Sequence, residues 1–491
     1  MKRRDFCGAG LAALAGSALP YTRLFAATAG EVPATGLDGK QLLLKPGDVE
    51  DLRKRLRGAL LAAGSEGYDS ARLIWNRAFD RKPALIARCE GAADVIEAVK
   101  FARAQGLLTA VRGGGHSLSG QSVCDGGLVI DLGRMQGIRI DPSAKSARVE
   151  PGVKLTSLDQ EAQSFGMVVP LGTVSDTGAA GLTLGGGFGR LTRKYGLACD
   201  NLMAADVITA DGRFVRASVT ENPDLLWALR GGGGNFGVVT SFQYRLHPVG
   251  PAVFGGHLLY PFAQAREVLR AYADVSAGAP DELAVSAYLV PTPDNQRAVM
   301  LDVCYCGRVA DGERVVAPLR KLGKPLQDNL GPTTYVEVQR SGDADNPPGP
   351  YYVKGGYVTH VSPALIDSLL ESLGNPAHAN VAVILAQVGG AISRVKPNAT
   401  AFWHREPSHE VIMVGFWEKP ADADHVIELV RGVWKPVEPL TDGFYINHGG
   451  FDVTERRIRE NYGDNYKRLA DLKKRYDPAN LFRLNANIKP A

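Results

Sequence analysis

Cysteine is sparse in this chain, six among 491 residues, and the six are scattered. No CxxC pair and no Cys/His grouping has zinc-ligand spacing, which argues against a disulfide framework and against a metal site. Long apolar runs are missing too. The run from Ala9 to Leu19 falls short of the roughly 20 residues that cross a bilayer. Nor is there an excess of one charge. The chain has 56 Lys and Arg against 52 Asp and Glu, a net +4, which leaves no electrostatic footprint for nucleic acid or an anionic membrane. No Gly-x-x-x-x-Gly-Lys-Ser/Thr phosphate loop occurs.

What abounds is glycine, 57 residues where average usage of ~7% would give about 34. Many backbone positions are therefore built for tight turns or close approach to a ligand. The length suits about two or three domains, and 45% apolar with 22% charged residues gives ample core.

Lys2, Arg3 and Arg4 precede the apolar run, the plan of an export signal, and Arg3-Arg4 with Phe6 is similar to the twin-arginine type. Residues 1–29 are expected to be such a signal, cleaved after Ala27-Thr-Ala29, with a periplasmic or secreted product. An amphipathic start or an uncleaved anchor is the alternative. Twin-arginine export carries folded proteins, which suits a cofactor loaded before export. Cys7 would leave with the signal; Cys89, Cys124, Cys199, Cys304 and Cys306 remain, an odd set, with Cys304 and Cys306 on one strand face and read as core.

In chain order, residues 49–63 have helical spacing, residues 83–88 read as a buried strand, and residues 92–105 as a helix stopped by Gly106. Strands follow at 107–111, 127–132 and 146–150. Between the first two lies Val111-Arg-Gly-Gly-Gly-His-Ser-Leu-Ser-Gly120, which reads as a ligand-approaching loop with a nucleophilic imidazole or as a glycine turn beside a hydrogen-bonded histidine. Residues 115–118 superficially suggest a nucleophile elbow, but Ser119 stands where that motif needs glycine. A second cluster, Gly172 to Gly189, offers small residues, hydroxyls and free backbone N–H groups that suit a polyol chain and a pyrophosphate. It lacks the strand and acid of a Rossmann fingerprint, so a plain glycine-rich loop stays open. Asp206 to Val215 reads as a hairpin turning at Asp211-Gly212, residues 223–230 as a short helix into a third cluster, Gly231 to Gly237, residues 238–246 as a strand, and residues 248–251 as a boundary. Alternating and helical segments mix from 252 to 440. The helix from Asn465 ends at Tyr476 because Pro478 cannot continue it. The plan is α+β.

Together, Arg112-Gly-Gly-Gly-His-Ser117, Gly185-Gly-Gly-Phe-Gly189 with Lys194-Tyr-Gly-Leu197 and Asp200-Asn201, Leu229-Arg-Gly-Gly-Gly-Gly-Asn-Phe-Gly237, Tyr445-Ile-Asn447, and Tyr476-Asp-Pro-Ala-Asn-Leu-Phe482 with Asn485 and Asn487 stand in one order. That order resembles the flavin-dependent oxidoreductases of the vanillyl-alcohol oxidase superfamily, in the berberine-bridge-enzyme-like branch. The resemblance implies a PCMH-type FAD-binding domain at 79–249 after a linker and helix at 30–78. An α+β substrate domain with antiparallel sheet follows at 250–440, and a segment at 441–491 returns to the FAD domain.

The resemblance implies FAD contacts from Arg112, Gly113, Gly114, Gly115, His116, Ser117 and Gly120. In the second cluster it implies contacts from Thr173, Val174, Asp176, Thr177, Gly178 and Gly181, then from Gly185, Gly186, Gly187 and Gly189. Val207, Asn485 and Asn487 complete the set, and no metal is expected. His116 stands where the family bonds histidine to the flavin 8α-methyl. Some members add a cysteine link at the position held here by Val174, so one covalent link is expected, which keeps the cofactor on an exported enzyme and raises its electron affinity. Tyr445 stands at the family's active-site tyrosine; a phenol near its ordinary pKa of ~10 needs a lowered pKa or concerted transfer to act as a base. Asn447 is expected beside it on the same strand face. Lys354, His404, Arg405 and His448 are polar candidates, each also readable as structural.

The implied activity is an FAD oxidase taking hydride from a CH–OH or CH–N centre of a small-molecule substrate, with oxygen going to hydrogen peroxide. Transfer to another acceptor and a non-catalytic flavin- or sugar-binding protein are the alternatives.

Overall fold

The computed structural model describes residues 30–292 and 296–491, so the expected signal at 1–29 lies outside the described residues. Leu85–Arg88, Leu128–Asp131 and Thr109–Arg112 pair in parallel, with Leu60–Leu61 antiparallel at the edge. The three parallel strands require a crossover. The helix Ala92–Gln105 supplies it, burying Val95, Ala98, Val99 and Ala102 and ending where Gly106 takes a left-handed φ of 61°. The histidine turn leaves the end of Thr109–Arg112.

A five-stranded antiparallel sheet follows, in the order Phe214–Ser218, Leu202–Ile208, Val238–Arg245, Ser146–Val149, Ile138–Asp141. Asp211-Gly212 turns the first hairpin, as expected. The carboxyl-terminal helix Asn465–Tyr476 sends Leu469 and Leu472 into the core of this sheet beside Leu226 and Phe236. The return is pinned by Lys473, fully buried, which donates to Asp477 at 2.7 Å and to the carbonyls of Asn235 and Phe482 at 2.8 and 2.9 Å.

The remaining layer is an eight-stranded antiparallel sheet whose long members are Ala252–Pro261, Arg297–Tyr305, Leu283–Pro291, Ala382–Gln387, His409–Phe416 and Tyr351–Val358, in that order across it. Its strands alternate. Leu283, Val285, Ala287 and Leu289 pack under the helices Ala265–Ala277 and Pro363–Gly374, while Ala284, Ser286 and Tyr288 face the opposite way, toward the glycine loops.

Two local expectations fail. The helix expected over 49–63 is Pro46–Arg55: the Asp94 carboxylate takes the N–H groups of Arg57 and Gly58 at 2.9 and 3.1 Å, and Leu60–Leu61 joins the sheet instead. Tyr445 and Asn447 are not on a strand; Ile446–His448 is a turn of 3₁₀ helix capped by Tyr445.

Candidate active site

Gly114 and Gly178 meet backbone to backbone. A Cβ on Gly114 would lie 2.4 Å from Gly178 Cα, and one on Gly178 2.6 Å from Gly114 Cα, so the histidine loop and the second glycine loop close on each other only because both residues are glycine. Beyond this junction lies a cleft of about 450 Å³, walled by both loops on one side and the eight-stranded sheet on the other. Gly181 and Gly234 line it, and nothing lies within 4 Å of where their Cβ atoms would be. The cradle is open to a ligand there.

His116 projects into this cleft. Its Nε2 is shut from solvent and has no hydrogen-bond partner among the described residues. The ring stacks on Trp75, whose backbone N–H donates to the Gly115 carbonyl at 2.8 Å. Burial pulls the imidazole pKa down to about 4, with Asp176 opposing and Lys154 adding to the shift, so the ring is neutral near pH 7. Asn76, fully buried, fixes the approach: its Nδ2 donates to the carbonyls of Leu118 and Tyr351 at 2.7 and 3.0 Å. A neutral, unpartnered imidazole nitrogen at one end of a glycine cradle fits a flavin dinucleotide.

Of the expected cofactor residues, Gly113 to Ser117, Thr173, Val174, Thr177, Gly178, Gly181, Gly189 and Asn485 line the cleft. The Asn485 and Asn487 side-chain oxygens are buried without hydrogen-bond partners among the described residues. Others do something else. The Arg112 guanidinium is committed to Asp131, with Nη2 at 2.7 Å, and to the Ala71 carbonyl, so it buttresses the loop from below. Asp176 pairs with Lys154 on a separate cavity behind the loop. Gly120 is glycine because a Cβ would strike the Phe79 ring at 2.4 Å. Val207 is buried in the five-stranded sheet, and Val238, Val239 and Phe242 reach the cleft in its place. Gly185, Gly186 and Gly187 sit behind the wall, against Asn447, Phe402 and Leu182.

The last contacts organise the phenol. The Tyr445 oxygen accepts from Gly187 N–H at 2.9 Å and from Asn447 Nδ2 at 2.7 Å. A Cβ at Gly185 would lie 2.3 Å from Asn447 Oδ1, which holds the amide in place. Both accepted bonds favour phenolate, yet burial is the larger effect and raises the phenol above its ordinary value. Tyr445 is therefore a neutral phenol whose own hydrogen is left to be donated.

Sequence reasoning named His448 among the polar candidates but missed its partner Glu410, and missed Arg190 and Asp302. His448, on the same turn, packs edge-on against Tyr445 with ring centroids 4.9 Å apart, and its Nδ1 lies 3.0 Å from the fully buried Glu410 carboxylate. A lone glutamate in the apolar strand His409–Phe416 was the available signal. Arg190 and Asp302, 2.9 Å apart, also line the cleft. Lys354, His404 and Arg405 have structural partners instead: Asp452 at 2.8 Å, Asn461 at 2.9 Å and a bidentate Asp200 at 2.8 Å.

Comparison with known proteins agrees with this geometry. Residues 83–218 match a family described as FAD binding domain, and residues 444–489 one described as berberine and berberine like. The chain is 32% identical to the (R)-6-hydroxynicotine oxidase of Paenarthrobacter nicotinovorans, covering 89% of this chain and 97% of that one. It is 27% identical to the xylooligosaccharide oxidase of Thermothelomyces thermophilus, covering 90% and 94%. The crystal structure of 6-hydroxy-D-nicotine oxidase from Arthrobacter nicotinovorans superposes with a TM-score of 0.81 at 29% identity, covering 89% of this chain and 98% of that one.

Proposed function

The chain belongs to the berberine-bridge-enzyme-like FAD oxidoreductases of the vanillyl-alcohol oxidase superfamily, and from that premise we propose that it is an exported oxidase with singly linked FAD. Its substrate is a small organic molecule with an oxidisable CH–OH or CH–N centre. The substrate C–H leaves as hydride, its O–H or N–H as a proton, and oxygen takes up two electrons and two protons as hydrogen peroxide. FAD, when bound, supplies the two-electron acceptor.

One observation carries this reading: an unpartnered, neutral His116 nitrogen and a Tyr445 phenol held by Gly187 and Asn447 face the same cleft. His116 tethers the cofactor through its imidazole, and Val174 leaves no second nucleophile on that loop. Gly113 to Ser117, Thr173, Val174, Thr177, Gly178, Gly181 and the Asn485 segment cradle the dinucleotide. Because burial keeps Tyr445 protonated, its role is to donate a hydrogen bond that orients the substrate heteroatom. The proton goes to His448, with Glu410 holding the opposite ring nitrogen and steadying the charge that forms. Export rests on the twin-arginine-like pattern within 1–29.

Acid denaturation of the purified protein tests the tether: yellow fluorescence stays with the polypeptide, and its full release would sink the linkage. Peroxide formation under air, set against dye reduction without oxygen, tests the acceptor.

A further inference from the structure

The cleft has a second polar end. The inward-facing residues of the eight-stranded sheet form a row in which Asp302 pairs opposite Ser286 and Ala386 opposite Glu410, with strands Leu283–Pro291 and Ala382–Gln387 joined between them. Asp302 therefore lies three strand spacings from Glu410, roughly 14 Å at about 4.8 Å each. Glu410 and His448 mark the end at Tyr445. Between the two ends the wall is apolar, with Ile384, Ala386, Ile412 and Val414.

At the far end, Arg190 is held rigidly. Its Nη2 pairs with Asp302 at 2.9 Å, and its Nη1 donates to the Thr173 carbonyl at 2.9 Å and to Gln339 Oε1 at 3.2 Å. The two side chains are 6% and 13% exposed, so their charges cancel in a desolvated place. A cationic or anionic ligand group would be stripped of water there without a free counterion. Hydrogen-bonding capacity is what remains unspent. The buried Arg190 Nε has no partner, and the Tyr288 hydroxyl and the second Asp302 oxygen form no hydrogen bond among the described residues. A fixed donor, a fixed acceptor and a phenol that is both suit neighbouring hydroxyls, each of which donates and accepts.

We propose that Arg190, Asp302, Tyr288 and Ser286 form a subsite for the hydroxyl-bearing far end of an uncharged, extended substrate whose reacting carbon lies at Tyr445. The proposal rests on the oxidase reading above. Three probes on the holoenzyme test it: cellobiose, glucose, and the cationic disaccharide of glucosamine, each followed by anaerobic flavin bleaching and by kcat/KM. Cellobiose is expected to exceed both others at least tenfold. Tyr288→Phe, which leaves the ion pair intact, should lower the cellobiose-to-glucose ratio of kcat/KM about tenfold, the loss of about one hydrogen bond; Asp302→Asn should lower it further. Preference for the cationic disaccharide, failure of both disaccharides to bleach the flavin, or a ratio unmoved by Tyr288→Phe would overturn the subsite. A protein without flavin, or whose flavin no substrate bleaches, would overturn the oxidase reading itself.

Discussion

The imidazole of His116 and the indole of Trp75 lie face to face, ring centroids 4.3 Å apart and planes 24° apart, with Tyr351 covering the other indole face at 4.4 Å. The stack joins the histidine loop to the strand Tyr351–Val358 and fixes the direction of the imidazole. The proposed attachment of a flavin to His116 would depend on that direction. His116→Ala should release all flavin on acid denaturation. Trp75→Leu should still bind FAD, yet slow covalent incorporation into apoprotein at least tenfold by gel fluorescence. Equal incorporation rates in Trp75→Leu and the native chain would mean the stack does not position the ring.

The lowered pKa of His116 gives this attachment its own pH signature. The neutral imidazole is the nucleophile, and burial favours the neutral form down to about pH 4. Incorporation of FAD into apoprotein should therefore hold its rate as pH falls through 6.5, the ordinary histidine range, and drop only near pH 4. A midpoint at 6.5 would show an imidazole in contact with water.

Tyr445 sits among donors, and its phenol is pushed above its ordinary value. Tyr445→Phe should cut kcat about 10²-fold, and the native enzyme should show no alkaline limb from this residue below about pH 10. Glu410→Gln keeps the shape of the His448 partner and removes its charge. It should lower kcat about tenfold or more and leave KM within a few-fold. A kcat unchanged by Glu410→Gln would assign Glu410 a purely structural part.

The helices at 92–105 and 465–476 were legible to the residue because each has one apolar stripe and a local stop, Gly106 or Pro478. The helix at 49–63 was not, because what ends it is distant: a Cβ at Gly58 would lie 1.8 Å from the Arg88 carbonyl oxygen, and Asp94 claims the neighbouring N–H groups. The glycine loops and His116 could be read as motifs, since their chemistry is contiguous in the chain. Arg190 with Asp302, and His448 with Glu410, could not, since each pair is made across the cleft by residues 112 and 38 positions apart. Arg112 misled for the same reason. Its position in the motif was plain, but its partner Asp131 was visible only in the fold.

Asp159 offers a test of how the two layers are joined. Its carboxyl is buried on the helix Leu155–Gln163, with one oxygen 3.3 Å from Gln339 Nε2 and the other without a partner among the described residues. Burial raises its pKa to about 7, only partly offset by Gln339 and Arg190. In the unfolded chain it ionises near 3.9. Between these values the folded state binds the extra proton, so this group favours folding at low pH, and the benefit is lost as pH rises through 7. Asp159→Asn accepts the same hydrogen bond and cannot ionise. Relative to the native chain it should gain roughly 2–3 kcal/mol between pH 5 and 8, two pH units at about 1.4 kcal/mol each, measured by urea unfolding. If the stability gap between the two proteins is the same at pH 5 and pH 8, Asp159 is ionised in the folded state throughout, and water or a cation reaches the oxygen that has no protein partner.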